Sequence, residues 1–105
     1  MNTLDQREKG FERQFANEQE LEFRAISRRN RMLAEWAAGL MGLEAVDDYV
    51  HAVQRTHLER PNEDDVLRKV SDDLAAAGLT VREPEVRSKM DEFLAVARSQ
   101  IKGEA

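Results

Sequence analysis

The chain has 105 residues, of which 41% are hydrophobic and 35% are charged, and its formal net charge at pH 7 is −5. This length allows one compact domain, and the acidic balance argues against nucleic acid as a general partner because phosphate binding needs clustered positive charge. The chain has no cysteine, which excludes disulfides and thiolate zinc sites.

The N-terminal segment, residues 1–17, carries few large apolar side chains. Beyond the first methionine they are Leu4, Phe11 and Phe15, and their spacing places them on one side of a helix. The charged residues interleaved with them are Asp5, Arg7, Glu8, Lys9, Glu12 and Arg13. A helix of this length is marginal in water, and Gly10 costs it about 1 kcal/mol relative to alanine. We therefore expect this arm to be largely disordered when the protein is free.

The arm has two interpretations. In one it folds back and covers the rest of the chain as an extra half-helix, and in the other it binds a partner. Burial of Leu4, Phe11 and Phe15 in a partner would contribute roughly 2 kcal/mol each, which offsets much of the cost of ordering a short helix. The sequence favours the second interpretation, which is the behaviour of a segment that folds on binding.

The longest stretch with apolar residues at helical spacing is residues 21–42. Its apolar face contains Leu21, Ala25, Met32, Leu33, Trp36, Ala37, Leu40 and Met41. Asn17 and Glu20 resemble a capping box, and Gly42 is suited to the end of the helix. This pattern predicts a boundary between an arm, residues 1–17, and a domain, residues 18–105.

Three further amphipathic helices follow. The second presents Val46, Tyr49, Val50, Val53 and either His57 or Leu58. The third is capped by Asn62, presents Val66, Leu67, Val70, Leu74 and Ala77, and ends at Gly78. The fourth has Pro84 in its first turn and an apolar stripe of Val86, Met90, Phe93, Leu94, Ala97 and Ile101. Short connections between four such helices predict an all-α fold, an antiparallel four-helix bundle with a flexible N-terminal arm.

The arginine-rich part of the first helix contains Arg24 and the cluster Arg28-Arg29-Asn30-Arg31, which could bind phosphate or nucleic acid. It has two interpretations. In one, Arg24, Arg28 and Arg31 contact the phosphates of a nucleotide, and the chain is a small nucleotide-sensing domain. In the other, they form a solvated face that pairs at helical spacing with nearby glutamates. The second is favoured because no aromatic residues are interleaved at base-stacking spacing.

The sequence offers no constellation for catalysis or metal binding. His51 and His57 are six residues apart, which separates them around a helix, and the acidic doublets at 47–48, 64–65 and 72–73 lack the pattern of a calcium loop. There is no phosphate-binding glycine loop, serine elbow or cysteine nucleophile. We expect no catalytic residues, no metal and no required cofactor. With no apolar signal region and no run long enough to span a bilayer, we expect a cytoplasmic protein.

Three stretches resemble one known family. They are residues 7–43, residues 64–79 (DDVLRKVSDDLAAAGL) and residues 86–101 (VRSKMDEFLAVARSQI). Together they resemble the zeta subunit, the ATPase inhibitor subunit of alphaproteobacterial F-type ATP synthases. The resemblance implies a four-helix bundle whose arm enters the interface between catalytic and noncatalytic subunits of the ATPase head, near the rotor stalk, and blocks rotation in the hydrolytic direction.

The resemblance also assigns roles to the arm. Leu4, Phe11 and Phe15 would be apolar anchors, with polar contacts from Asp5, Arg7, Glu8, Lys9, Glu12 and Arg13. Members of this family bind adenine nucleotides, so the resemblance also implies weak nucleotide binding, but it does not assign residues to it. The alternative function is a small adenine-nucleotide-sensing domain, in which Arg24, Arg28 and Arg31 would contact the phosphates. The protein would be peripheral to the inner membrane through the synthase, without inserting into the bilayer.

Overall fold

The computed structural model describes the backbone of residues 3–104 and the side chains of Arg13 and residues 16–104. The helices in chain order are α1 (Thr3–Met41), α2 (Val46–Glu59), α3 (Glu63–Ala76) and α4 (Glu83–Glu104). Residues 3–104 contain no β-strand. The predicted all-α class is therefore confirmed.

The predicted start of the first helix is wrong. α1 runs from Thr3 to Met41 without interruption, so Asn17 and Glu20 lie inside the helix and cannot form a capping box. A cap residue must have a non-helical backbone, and it competes poorly when good helix formers lie on both sides. The residues around Asn17 are mostly Glu, Gln, Arg and Ala, without proline or a β-branched run. Intrinsic propensity therefore extends the helix through this position.

The connections between the helices follow the predicted signals. Gly42 and Gly78 have φ angles of 68° and 79°, the left-handed conformation that allows glycine to end a helix. The Asn62 side chain caps α3 by accepting a hydrogen bond from the backbone nitrogen of Asp64, at 2.8 Å. Pro84 lies in the first turn of α4, where its missing N–H is not needed.

The main core draws on all four helices. α1 packs against each of the other three, α2 packs against α3, and α3 packs against α4. The buried side chains of this core are Leu33, Ala34, Ala37, Val50, Val53, Val66, Leu67, Val70, Leu74, Val86 and Met90. A second cluster joins Ala25 of α1 to Leu94, Ala97 and Ile101 of α4. The antiparallel order of neighbouring helices stays a prediction.

Some residues predicted on the apolar faces are exposed. Leu40 of α1 is 44% exposed, Leu58 of α2 is 71% exposed, and Ala77 lies outside α3. In α2 the residue turned towards the interior is His57, which is half-buried. The buried face of α1 moves around the helix along its length, because α4 covers the part near Ala25 and the main core covers later turns. A single straight stripe read from the sequence cannot follow this rotation.

Candidate functional site

The predicted partner-binding residues lie at the N-terminal end of α1. The side chains of Leu4, Asp5, Arg7, Glu8, Lys9, Phe11, Glu12 and Phe15 lie outside the described part of the chain. Arg13 is described, and its side chain is exposed. The roles assigned to these residues, and the disorder expected for the free arm, stay predictions.

The part of α1 that connects the arm to the rest of the protein is exposed. Every side chain of residues 16–20 is exposed, Leu21 is half-buried, and Ala25 is the first buried residue at 1% exposure. With 39 residues, α1 is about 58 Å long, whereas the 22 residues of α4 extend about 33 Å. No other helix is long enough to cover all of α1. We call residues 16–21 the root of the arm.

Just after the root, α1 is attached to α4 by an ion pair. The carboxylate of Glu22 accepts hydrogen bonds from Arg98, at 3.1 and 3.2 Å from its Nε atom. Hydrogen bonding from Arg98 lowers the pKa of Glu22 below its ordinary value, against a smaller opposing effect of burial. Beneath this pair lies the cluster that joins Ala25 to α4. The last turns of α4 thus hold the position from which the arm leaves the protein.

The arginines considered for phosphate binding have a partner within the chain. Arg28 Nη1 lies 2.7 Å from Glu104 Oε1, and Arg24 Nη2 lies 3.4 Å from the other oxygen of the same carboxylate. The pKa of Glu104 is lowered, first by its hydrogen bond with Arg28. Arg28 also donates to Gln100 Oε1 at 3.2 Å. The sequence predicted that these two arginines pair with glutamates of their own helix. This prediction is wrong, because their ion pairs are with Glu104 of α4.

Arg31 differs from these two arginines. Its side chain is exposed, and within the described part of the chain it forms no ion pair, including with Glu35 one turn later. Of the three arginines proposed to contact phosphate, two form ion pairs with the Glu104 carboxylate. Phosphate binding at this helix stays a prediction, and it would have to compete with that carboxylate at Arg24 and Arg28.

Two polar residues of α1 are buried, which the sequence interpretation of a solvated arginine face missed. Arg29 is 1% exposed and Asn30 is 0% exposed. Arg29 Nε donates to Asn30 Oδ1 at 2.9 Å, and Arg29 Nη1 lies 3.1 Å from Glu63 Oε1 at the start of α3. A buried arginine needs such partners because an unpaired buried charge is costly. The sequence held one signal of this burial: position 29 lies on the same helix face as Ala25 and Leu33, which are apolar and four residues away on either side.

His57 lies beside this buried pair. Burial lowers the pKa of His57 below its ordinary value, the charge of Arg29 lowers it further, and Glu63 opposes both. His51 lies on the exposed side of α2. The two histidines thus differ in burial, and no group of three or more potential metal ligands occurs among the described residues.

Two of the three acidic doublets form contacts within the protein. Asp73 Oδ2 accepts a hydrogen bond from Tyr49 Oη at 2.8 Å and lies 2.9 Å from Lys69 Nζ. Burial, and then the bond to Asp73, raise the pKa of Tyr49. Asp64 pairs with Arg87 at 2.8 Å and so connects α3 to α4. These contacts are structural, and they leave the arm and its root as the candidate functional site.

Comparison with known proteins gives a family match over nearly the whole chain. A family model described as ATPase inhibitor subunit zeta matches residues 1–100. The match includes the arm, its root and all four helices up to the last turns of α4. Among curated proteins, the comparison finds no match. Over the described residues, none of the helices combines the length and apolarity required to cross a membrane.

Proposed function

The chain belongs to the ATPase inhibitor subunit zeta family, and from this we propose that it is a regulatory subunit that inhibits ATP hydrolysis by an F-type ATP synthase. In this proposal the N-terminal arm folds into the catalytic interface of the ATPase head and blocks rotation in the hydrolytic direction. The protein acts by binding and has no catalytic role. It is located in the cytoplasm, on the synthase at the inner membrane.

The observation that carries the proposal is the family match, because it includes the arm as well as the helical body. The exposed root supports it. Because residues 16–20 are exposed and continue the helix that is buried from Ala25 onwards, the arm leaves the body as an extension of its central helix. An arm held in this way can enter an opening in a partner without disturbing the core.

The arm supplies the contacts expected of a helix that becomes ordered in a protein groove. Leu4, Phe11 and Phe15 are the anchors, because they share one side of the helix and carry most of its apolar area. The remaining contacts come from the interleaved charged residues Asp5, Arg7, Glu8, Lys9, Glu12 and Arg13. These residues comprise three acids and three bases and have no net charge. Their contribution therefore comes from individual charge pairs at the rim of the groove, which select the orientation of the helix.

The body limits how far the arm can enter. An α-helix with its side chains is about 10–12 Å wide. The molecule measures 26 and 24 Å along its two shorter axes, so an opening that admits the arm excludes the body. The stop falls just after the root, where Glu22 and Arg98 attach α1 to α4. The arm therefore reaches a defined depth in the catalytic interface.

The test uses an isolated ATPase head that lacks this subunit. ATP hydrolysis is measured with the full chain, with a chain missing residues 1–17, and with no addition. We expect the full chain to inhibit and the truncated chain not to inhibit, with the melting temperature of the truncated chain used to verify that its body is folded. Equal hydrolysis rates in all three reactions would refute the proposed function.

A further inference from the structure

The groove between α1 and α2 contains the two most exposed large apolar side chains of the described residues. Phe23 of α1 is 57% exposed and Leu58 of α2 is 71% exposed. Both line a groove of about 520 Å³, within the range of specific binding pockets. Single exposed apolar residues are normal, whereas these two lie in the same concave surface and give it a shared apolar area.

The polar lining of this groove is basic. The described residues that line it are Phe23, Ser27, Arg31, Val50, His51, Gln54, Arg55, His57 and Leu58. None of them is acidic, although the chain as a whole has a net charge of −5. Arg31 and Arg55 are exposed and form no ion pair among the described residues. The groove thus joins an apolar surface to two available guanidinium groups.

The base of the groove is held by contacts between the two helices. Gln54 Nε2 donates to the backbone oxygen of Ser27 at 2.8 Å, and Val50 is buried at 5% exposure. The hydrogen bond fixes the separation of α1 and α2 at this level. The concave shape is therefore part of the folded body, and a ligand does not have to open it.

We propose that this groove binds an acidic amphipathic helix of the ATPase head, as a second contact beside the arm. This inference rests on the proposed function. Apolar side chains of such a helix would cover Phe23 and Leu58, and its carboxylates would pair with Arg31 and Arg55. A second copy of this chain suits the groove less, because two molecules of net charge −5 repel each other.

The first experiment tests the chemistry of the groove without the ATPase. Two synthetic helical peptides are titrated into the full chain while backbone amide shifts are followed. One has leucines at helical spacing flanked by glutamates, and in the other each glutamate is replaced by lysine. We expect the acidic peptide to shift the amides around Phe23, Arg31 and Leu58, and the basic peptide to leave them unchanged.

Several outcomes of this titration would overturn the proposal. One is the absence of shifts in the groove with the acidic peptide, and another is equal binding of both peptides. A third is a concentration dependence of the same amides without any peptide, since that would assign the groove to a second copy of the chain. The variant Arg31→Gln with Arg55→Gln should weaken binding of the acidic peptide roughly tenfold and reduce its salt dependence.

The second experiment places the groove on the ATPase head. The double variant Phe23→Gln and Leu58→Gln is compared with Leu40→Gln and Val96→Gln, which change two exposed apolar residues outside the groove. We expect the groove variant to bind the head roughly tenfold more weakly, while inhibition at saturating concentration persists because the arm is intact. Wild-type affinity of the groove variant would refute the second contact.

The two proposals fail in different ways. If the wild-type chain neither binds nor inhibits the head, the proposed function is wrong, and with it the assignment of the groove to the head. The peptide titration then still shows whether the groove selects acidic helices. If the wild-type chain inhibits but the groove variant matches its control, only the second contact is wrong.

Discussion

The two parts of α1 are one continuous helix with different sources of stability. From Ala25 onwards nearly every turn contributes a buried side chain, and the helix is stabilised by the three helices that pack against it. Over residues 16–20 every side chain is exposed, so the hydrogen bonds and propensities of the helix itself contribute a larger share of its stability there. The buried part of α1, from Ala25 onwards, therefore forms the centre of the helical body, whereas the exposed part before it is accessible to a partner.

The largest expected effect is in the buried part. Leu33 is 0% exposed, so Leu33→Ala should lower the free energy of unfolding by about 2–5 kcal/mol through lost burial and a cavity. The control is Leu40→Ala on the same helix, which should cost less than about 1 kcal/mol because Leu40 is 44% exposed. Urea denaturation measures both. Equal losses would mean that burial does not distinguish these positions.

The arm should show the opposite behaviour. Phe11→Ala with Phe15→Ala should weaken inhibition of ATP hydrolysis at least about tenfold, because roughly 2 kcal/mol of burial is lost at each position. The melting temperature should stay nearly unchanged. A large fall in melting temperature would instead indicate that the arm packs on its own body, and the contrast between the two parts of α1 would be lost.

The buried arginine of α1 depends on a residue of another helix. Glu63→Gln should cost about 1 kcal/mol, because it removes the charge facing Arg29 while the partial exposure of Glu63 screens part of the loss. Glu83→Gln is the matched control, since both glutamates are the first residue of their helix. Its loss should be a few tenths of a kcal/mol. Equal losses would indicate that only the helix dipole is involved.

A change in the arm should strengthen inhibition. Gly10→Ala should favour the helical arm by about 1 kcal/mol, which corresponds to roughly fivefold tighter inhibition. Gly103→Ala at the other end of the chain is the control and should leave inhibition unchanged. Inhibition is measured from the concentration dependence of ATP hydrolysis. If Gly10→Ala weakens it, the arm does not act as a helix.

The smallest expected effect is the pH dependence of the free energy of unfolding that arises from His57, beside the buried Arg29. Because the pKa of His57 is lower in the folded protein, the unfolded chain binds a proton first, and stability should fall as the pH decreases below about 6.5. The lowered pKa values of Glu22 and Glu104 reduce stability mainly as the pH falls through about 4.5, so the range from pH 7 to 6 is the one in which His57 is compared. His57→Gln should flatten this slope, and His51→Gln should not. Urea denaturation across this range makes the comparison.

The accuracy of the sequence predictions followed the range of the interactions involved. The signals at Gly42, Asn62, Gly78 and Pro84 are local, because each depends on the backbone of a few neighbouring residues, and all four were confirmed. The cap at Asn17 was wrong, since a capping pattern does not act when helix formers continue on both sides. The apolar faces were mostly predicted, apart from edges such as Leu58.

The candidate site was predicted only in part. The apolar spacing of the arm is visible in the sequence, and its roles await the experiments above. The basic groove was not predicted, because Phe23 and Leu58 are 35 residues apart and share a surface only through the packing of α1 on α2. The pairing of Arg28 with Glu104 was missed for the same reason, as the two residues are 76 positions apart.

By itself, the sequence determined the number of helices, the ends marked by Gly42, Asn62, Gly78 and Pro84, and most of the apolar faces, because helical periodicity and capping act within a few residues. It also carries the family match, which extends from residue 1 to residue 100. Only the tertiary structure decided which arginine is buried, which carboxylates pair with the remaining arginines, and where along α1 the side chains become exposed. Those outcomes depend on which surfaces of distant helices meet, and no local pattern contains that information.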